Sequence, residues 1–451
     1  MEATASWWRA ERVATTPTTA PHGSLTAPHG SRIAFGALVA FTGILILSPQ
    51  VWFPFLKSLR IAFLAAGIAI AAHLLDHTVR RRAGRPTHPE LVIASCLVAW
   101  AVLTVPLSYW PGGSVTVLTE HFLKAVAFFW LIGTVITTPH RLRIFVWLLV
   151  LCSIPLSVTA IQNYQSGVFL QTPMGAAQRI AGYNIGGSGL TANPNDLALM
   201  LNLLIPFAAA LLMSGRGVAQ RLTAGAALLL SATAVILTFS RAGFLTLVAL
   251  GLVWLGAVAV RRPLAALATV LVLAMTPAVM PAGYLERLNT ITNISTDPTG
   301  SAQGRWTDLT VAAGLVAHNP LTGVGLGQNV LALNQQRGAT WREVHNVYLQ
   351  YAVDLGLPGL ALFLWLFIAL FRAAGRVRRR HAKDPGARDV GIIAGGVQAA
   401  LIGFAVAAFF HPVAYQFYFF CIAGLGLAVQ NVSWATRRSV PLARQSAGWA
   451  A

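Results

Sequence analysis

His345 closes a long polar segment and stands just before an apolar run, in His-Asn-Val-Tyr-Leu-Gln-Tyr-Ala-Val-Asp-Leu-Gly-Leu-Pro-Gly over residues 345–359. An imidazole titrates near neutrality, so at such a place it can take a proton from a hydroxyl while meeting both water and a membrane-held molecule. It can equally cap or hydrogen-bond the helix that follows. Arg241 lies in Thr-Phe-Ser-Arg-Ala-Gly-Phe-Leu, residues 238–245, at the tight connection between two apolar runs. A guanidinium near hydrocarbon needs an anionic or carbonyl partner, and its planar fork suits the oxygens of a phosphate. Glu120, Asp196 or a backbone carbonyl would also serve. Lys124 lies within an apolar run, four residues after Glu120, so it is either an intrahelical ion pair or a second cation for the same anion. Arg305 precedes Trp306 at the start of a helical stretch and can reach a headgroup or a ligand phosphate.

Polar donors accompany these bases. In Gly-Gly-Ser-Gly-Leu-Thr-Ala-Asn-Pro-Asn-Asp-Leu-Ala, residues 186–198, a glycine-rich stretch runs into a helix start. Free backbone amides there suit an anion or a sugar. Asn193 and Asn195 offer the paired donors and acceptors that sugar hydroxyls use, although an asparagine or Asp196 at that position also serves as an N-cap. Asn346, beside His345, has the same chemistry. Gly-Val-Gly-Leu-Gly at 323–327 lacks the flanking strand of a nucleotide-binding turn. No Walker A sequence and no Asp-x-Asp pair occur, so neither ATP-driven transport nor a metal-held glycosyl donor has its usual signature. Bases stand where a metal would, which suits a leaving group that is itself an anion.

The elements that position these residues follow from composition. Of 451 residues, 56% are apolar and 10% charged, against about 25% charged in a soluble domain, and mean hydropathy is +0.65. Apolar runs near twenty residues match the ~30 Å hydrocarbon layer. The chain therefore reads as an all-α integral membrane protein. Its twelve expected spans are 33–49, 57–75, 91–109, 117–137, 143–162, 195–213, 219–239, 242–260, 264–280, 346–371, 391–410 and 413–432.

The net charge of +19 is not a nucleic-acid signature, because the bases fall in short patches between the runs. With both termini cytoplasmic, 23 of the 32 Lys and Arg lie on the cytoplasmic side, as the positive-inside rule requires. The nine minority bases Lys57, Arg60, Lys124, Arg179, Arg241, Arg287, Arg305, Arg337 and Arg342 then belong to the opposite, periplasmic side. That side also carries the two long loops, about 163–194 and 281–345. In the second, Trp306, Leu309, Ala313 and Val316 recur at helical spacing, either on a membrane surface or against the loop itself. The three cysteines all lie inside apolar runs and suggest neither a disulfide nor a zinc site. Residues 1–32 lack an apolar stretch ahead of a cleavage site and read as a partly disordered cytoplasmic tail.

Together these residues resemble the O-antigen ligase family. His345-Asn346, nine residues, then Gly356-Leu357-Pro358-Gly359 fits that family's His-[Asn/Ser/Gln]-x9-Gly-x-x-Gly pattern without a gap. Arg241 with Leu245 fits its Arg-x3-Leu motif. Asn-Pro-Asn at 193–195, Arg-Trp at 305–306 and Asn-Pro-Leu-Thr-Gly-Val-Gly-Leu-Gly at 319–327 are also similar. The resemblance covers roughly residues 30–430.

It implies a GT-C type membrane fold and a metal-independent, inverting glycosyltransferase with no cofactor. The donor would be undecaprenyl-diphosphate-linked O-antigen, the acceptor a sugar of the lipid A–core oligosaccharide, and the setting the bacterial inner membrane with a periplasmic active site. His345 would be the catalytic base. Arg241, Arg305 and Lys124 would hold the diphosphate, and Asn193, Asn195 and Asn346 would contact substrate. O-antigen polymerases share the histidine motif, and a transporter of polyprenyl-linked glycan is the competing class. The organisation expected is a cytoplasmic tail (1–32), nine spans (33–280), a periplasmic loop (281–345), three spans (346–432) and a second tail (433–451).

Overall fold

Each expected apolar run contains an α-helix in the computed structural model, which describes residues 30–79, 88–172, 175–180, 182–183, 190–259, 263–275, 284–289, 300–384 and 386–438; the end of the ninth expected run, 276–280, lies outside the described residues. The helices are α1 (Arg32–Leu47), α2 (Ile61–Val79), α3 (Pro89–Thr104), α4 (Pro111–Val135), α5 (Pro139–Gln165), α6 (Pro194–Ser214), α7 (Val218–Leu237), α8 (Arg241–Val258), α9 (Pro263–Met275), α10 (Ser301–His318), α11 (Asn329–Arg337), α12 (Val347–His381), α13 (Arg388–Ala407) and α14 (Phe417–Arg438). Among the described residues, nine are long and apolar enough to cross a membrane, α1 and α8 being shorter apolar helices. The chain is an all-α integral membrane protein with one small addition. The segment after α5 forms an antiparallel hairpin, β1 (Phe169–Thr172) against β2 (Gly175–Ile180), with Phe169 opposite Ile180. Most of both expected cytoplasmic tails lies outside the described residues.

The prolines and polar residues at the run ends explain where helices start. Pro89, Pro111, Pro139 and Pro194 occupy first-turn positions, where a missing N–H costs nothing. Packing then sorts the helices by burial. α6 is largely enclosed, lying against α5, α7, α8 and α13, whereas α2 is mostly exposed along one side of α1. α12, α13 and α14 pack mutually, with the stacked Tyr351 and Phe363 rings 4.4 Å apart at their centre.

α12 is broken about two turns before its middle. Gly356 has φ 70° and ψ −177°, backbone that is essentially glycine-only. Pro358 follows and has no N–H to give. The carbonyls freed by the break each find a donor. Val353 O accepts from Val324 N at 2.8 Å, Asp354 O from Gly325 N at 3.0 Å, and Leu355 O from Trp100 Nε1 at 2.8 Å. Leu357 N donates to Pro320 O at 2.7 Å. The segment 319–327 is thus tied into the break. A side chain at Gly356 would collide with the carbonyl of Leu321, so this glycine is required twice over. The glycine motifs in 319–327 and 356–359 build a joint between loop and helix, and that joint sets where the chain between them, including His345, can lie.

Candidate active site

Three helix starts and one loop meet at the same end of the bundle. Asn193 caps α6, its Oδ1 accepting from Asn195 N at 2.8 Å. Ser240 caps α8, its Oγ accepting from Gly243 N at 3.1 Å, and the same hydroxyl donates to Asn195 Oδ1 at 2.9 Å. Asn346 caps α12, its Oδ1 accepting from Leu349 N at 3.0 Å. The 408–416 connection joins them, with Val347 N donating to Ala408 O at 2.7 Å and His411 Nε2 lying 3.2 Å from Asn195 O. Arg241, the first residue of α8, follows the capping Ser240 directly and is therefore held beside Asn195. Phe239, just ahead, is in the left-handed region at φ 54° and turns the chain sharply between α7 and α8.

His345 sits where these elements converge. Its Nδ1 lies 2.8 Å from the carbonyl of Glu343. A carbonyl can only accept, so Nδ1 carries the proton in the neutral ring and Nε2 keeps its lone pair. The imidazole pKa is pulled down to about 4, first by burial and next by the nearby Arg305 guanidinium, with His411 and Arg342 adding to it; the Glu343 carbonyl pulls the other way. Near neutral pH the ring is uncharged and Nε2 can accept a proton. His411, fully buried, is likewise held below the usual range by desolvation.

The bases around His345 are arranged by a carboxylate. Asp308, on the buried side of α10, is ion-paired with Arg337, whose Nε lies 2.6 Å from Oδ1, and with Arg342, whose Nε lies 3.5 Å from Oδ2. Arg342 passes directly over Gly304, where a side chain would collide with its guanidinium, and so lies beside Arg305. This arrangement also fixes the roll of α10. Its inward face carries Asp308, Ala312 and Leu315, while Trp306 is 62% exposed and Ala313 points outward. The apolar spacing of Trp306, Leu309, Ala313 and Val316 suggests a slightly different stripe, because apolar periodicity does not register the pull of an ion pair on Asp308.

The expected site residues separate into two groups. His345, Arg305, Arg241, Asn193, Asn195 and Asn346 come together at one end of the bundle. Lys124 does not join them by any described contact. It is ion-paired with Glu120, the intrahelical pairing that its spacing allowed, thirteen residues into α4 and so about 20 Å along it at 1.5 Å per residue. Asn193 and Asn346 both spend their Oδ1 on helix caps, leaving their amide N–H groups for other partners. The side chains of Arg179 and Arg287 lie outside the described residues.

Four buried polar residues near the site carry no signal in apolar periodicity: Asp354, Asn329, Gln350 and His411. Gln350 accepts from Ala414 N at 3.1 Å and donates to Glu343 Oε2 at 3.3 Å, joining the two segments that flank the imidazole. Their best sequence clue is a polar side chain at an inward position of a helix.

An apolar groove of about 550 Å³ opens between α8, α12 and α13, lined by Leu245, Phe367, Phe371, Ile402, Phe409 and Phe410. Leu245 is one turn after Arg241, and Phe409 and Phe410 immediately precede His411. The groove thus opens beside the polar cluster, with Leu245 and Phe410 at that end.

Residues 226–364 match the family model described as O-antigen ligase. The match takes in Arg241, Arg305, His345 and the Gly356 break, and stops short of Asn193–Asn195 and His411. No curated protein matches the chain.

Proposed function

We propose, from the match of residues 226–364 to the family model described as O-antigen ligase, that the chain transfers O-antigen polysaccharide from undecaprenyl diphosphate to a sugar of lipid A–core oligosaccharide. The reaction runs without a metal, at the periplasmic face of the bacterial inner membrane. The observation that carries this reading is the neutral imidazole of His345, its Nδ1 committed to the Glu343 carbonyl and its Nε2 free to accept, with Arg305 close by.

In the proposed step, His345 Nε2 takes the proton of an acceptor hydroxyl as that oxygen attacks the anomeric carbon of the donor. The bond from that carbon to the diphosphate oxygen breaks with inversion, and undecaprenyl diphosphate leaves. Arg241 and Arg305 offset the charge that develops on the leaving group, a role that preorganised cations fill without reorganisation. Lys124 is left out of this clamp, since Glu120 already neutralises it. The polyprenyl chain lies in the groove lined by Leu245 and Phe409, which lets the diphosphate reach Arg241 while the tail stays in hydrocarbon. Asn195 and the free amide of Asn346 are placed to bond sugar hydroxyls.

The test uses purified protein, the polyprenyl-diphosphate-linked glycan and lipid A–core, with EDTA present. A gel shift of lipid A–core that His345→Ala abolishes supports the reading. A donor glycan that lengthens on its own lipid, with lipid A–core unchanged, replaces ligase by polymerase. No change in either substrate rejects both.

A further inference from the structure

Asp354 is fully buried in α12, two residues before the helix break, and nothing in the proposed transfer uses its charge. Its carboxyl oxygens are shared among Asn329, the Tyr415 hydroxyl and the Gly327 backbone, and Asn329 makes the most contacts. Oδ1 accepts from Asn329 N at 2.9 Å and from Asn329 Nδ2 at 3.2 Å, and Oδ2 accepts from the same Nδ2 at 3.1 Å. With an amide N–H shared between the two carboxylate oxygens, the Asn329 side chain turns its carbonyl away from Asp354. That Oδ1 accepts from Val344 N at 3.0 Å. Val344 is the residue before His345. Both Asp354 and Asn329 are about 99% buried, so water cannot substitute for either bond.

We propose that Asp354 is a positioning residue for His345, acting through Asn329 to fix the backbone that presents the imidazole. The inference rests on the reading of His345 as the base. The geometry explains why a carboxylate is there at all. Burying a charge is costly unless it is hydrogen-bonded, and here its bonds orient one amide in a single rotamer. A neutral amide of the same shape could still accept at its single oxygen but would set its own NH2 against that of Asn329 where Oδ2 now accepts. The Asn329 carbonyl would then lose its aim at Val344 N. Gln350 holds the other side of the same loop through Glu343 and Ala414 N, so removing Asp354 frees one of two anchors and the fold around them persists.

The test follows His345 itself as well as turnover, in the full-length detergent-purified protein. The rate of diethylpyrocarbonate modification at His345, read by peptide mass spectrometry across pH 3–8, gives the titration of that ring without any substrate. The groups facing the ring are Arg305 from α10, Arg342 and the Glu343 carbonyl from its own segment, and His411 from the 408–416 connection. Native protein should titrate near about 4. Asp354→Asn and, separately, Asn329→Ala should move the midpoint upward as the ring leaves its place beside Arg305. Both should lower kcat about 10- to 100-fold, the scale of an ångström-level misplacement, with donor KM within about threefold.

An unchanged titration and unchanged kcat in either folded variant overturns the proposal. So does an equal loss in kcat and in extractable folded protein with the titration unmoved, which is the signature of a purely structural carboxylate. Full activity in His345→Ala would instead overturn the catalytic reading, while the modification profile would still decide whether Asp354 positions the ring.

Discussion

An imidazole that is to take a proton from a sugar hydroxyl needs a lone pair aimed outward and a ring that is uncharged at working pH. His345 has both, through the Glu343 carbonyl at Nδ1 and a pKa pulled down to about 4. The sign of the pH effect follows directly. Protonation removes the acceptor, so kcat/KM should rise through the pKa of the free enzyme and stay level above it. We expect an acid limb with its midpoint near about 4, measured as kcat/KM from pH 3 to 8. Burial is the larger cause and Arg305 the next, so Arg305→Ala should move that midpoint toward the ordinary 6.5. A midpoint already near 6.5 in native protein would contradict the environment described. The same substitution should also lower kcat about 10²–10³-fold, as loss of a preorganised charge does. Lys124→Met should stay within about fivefold of native, since an exposed ion pair contributes at most about 1 kcal/mol. Equal losses at both positions would return Lys124 to the diphosphate clamp.

At the scale of elements, the break in α12 is the feature that sets the site. The glycines and proline of 356–359 read in sequence as part of a motif. In the structure their work is mechanical. Gly356 opens the helix, and the carbonyls of Val353, Asp354 and Leu355 take donors from Val324, Gly325 and Trp100. Gly356→Ala should therefore destabilise the protein by about 1–3 kcal/mol from its backbone conformation alone, and by more from the collision with Leu321 O. A lower unfolding midpoint in detergent together with lost activity is the expected outcome. An unchanged midpoint would mean that the break is not held as described.

This level also shows what the sequence made legible. Run length and charge placement specify the helices, because a bilayer demands apolar length and little else. His345 and Arg241 stand out because charged and titratable groups are rare in such a chain. Asp354, Asn329 and Gln350 do not, since each acts through a contact between residues far apart in sequence or on different loops. The turn of α10 that buries Asp308 has the same origin, in Arg337 and Arg342 more than twenty residues away.

Across the whole molecule, the bases divide by end. Arg376, Arg378, Arg379, Arg380 and Lys383 cluster at the far end of α12 from His345, the end that the positive-inside bias makes the expected cytoplasmic one. The ends of helices nearest His345 instead expose aromatic residues, with Trp110 at 61%, Trp306 at 62% and Trp341 at 71%, as suits a surface near headgroups. A single cysteine in place of Trp341, with the three native cysteines replaced, should react with a membrane-impermeant maleimide in intact spheroplasts. A cysteine in place of Arg380 should react only after lysis. The reverse pattern would place the His345 cluster on the cytoplasmic side and remove a periplasmic acceptor from consideration.

The central claim is that His345 performs the proton transfer in glycosyl transfer to lipid A–core with no metal taking part. The most direct measurement is a single-turnover assay of purified protein with both lipid-linked substrates in EDTA, comparing native protein with His345→Ala and following lipid A–core by gel. Native protein should give a mobility shift in EDTA, and the variant should lose about 10²-fold or more in rate. A variant that shifts lipid A–core at the native rate, or a native protein that EDTA silences and added divalent cation restores, would contradict that claim.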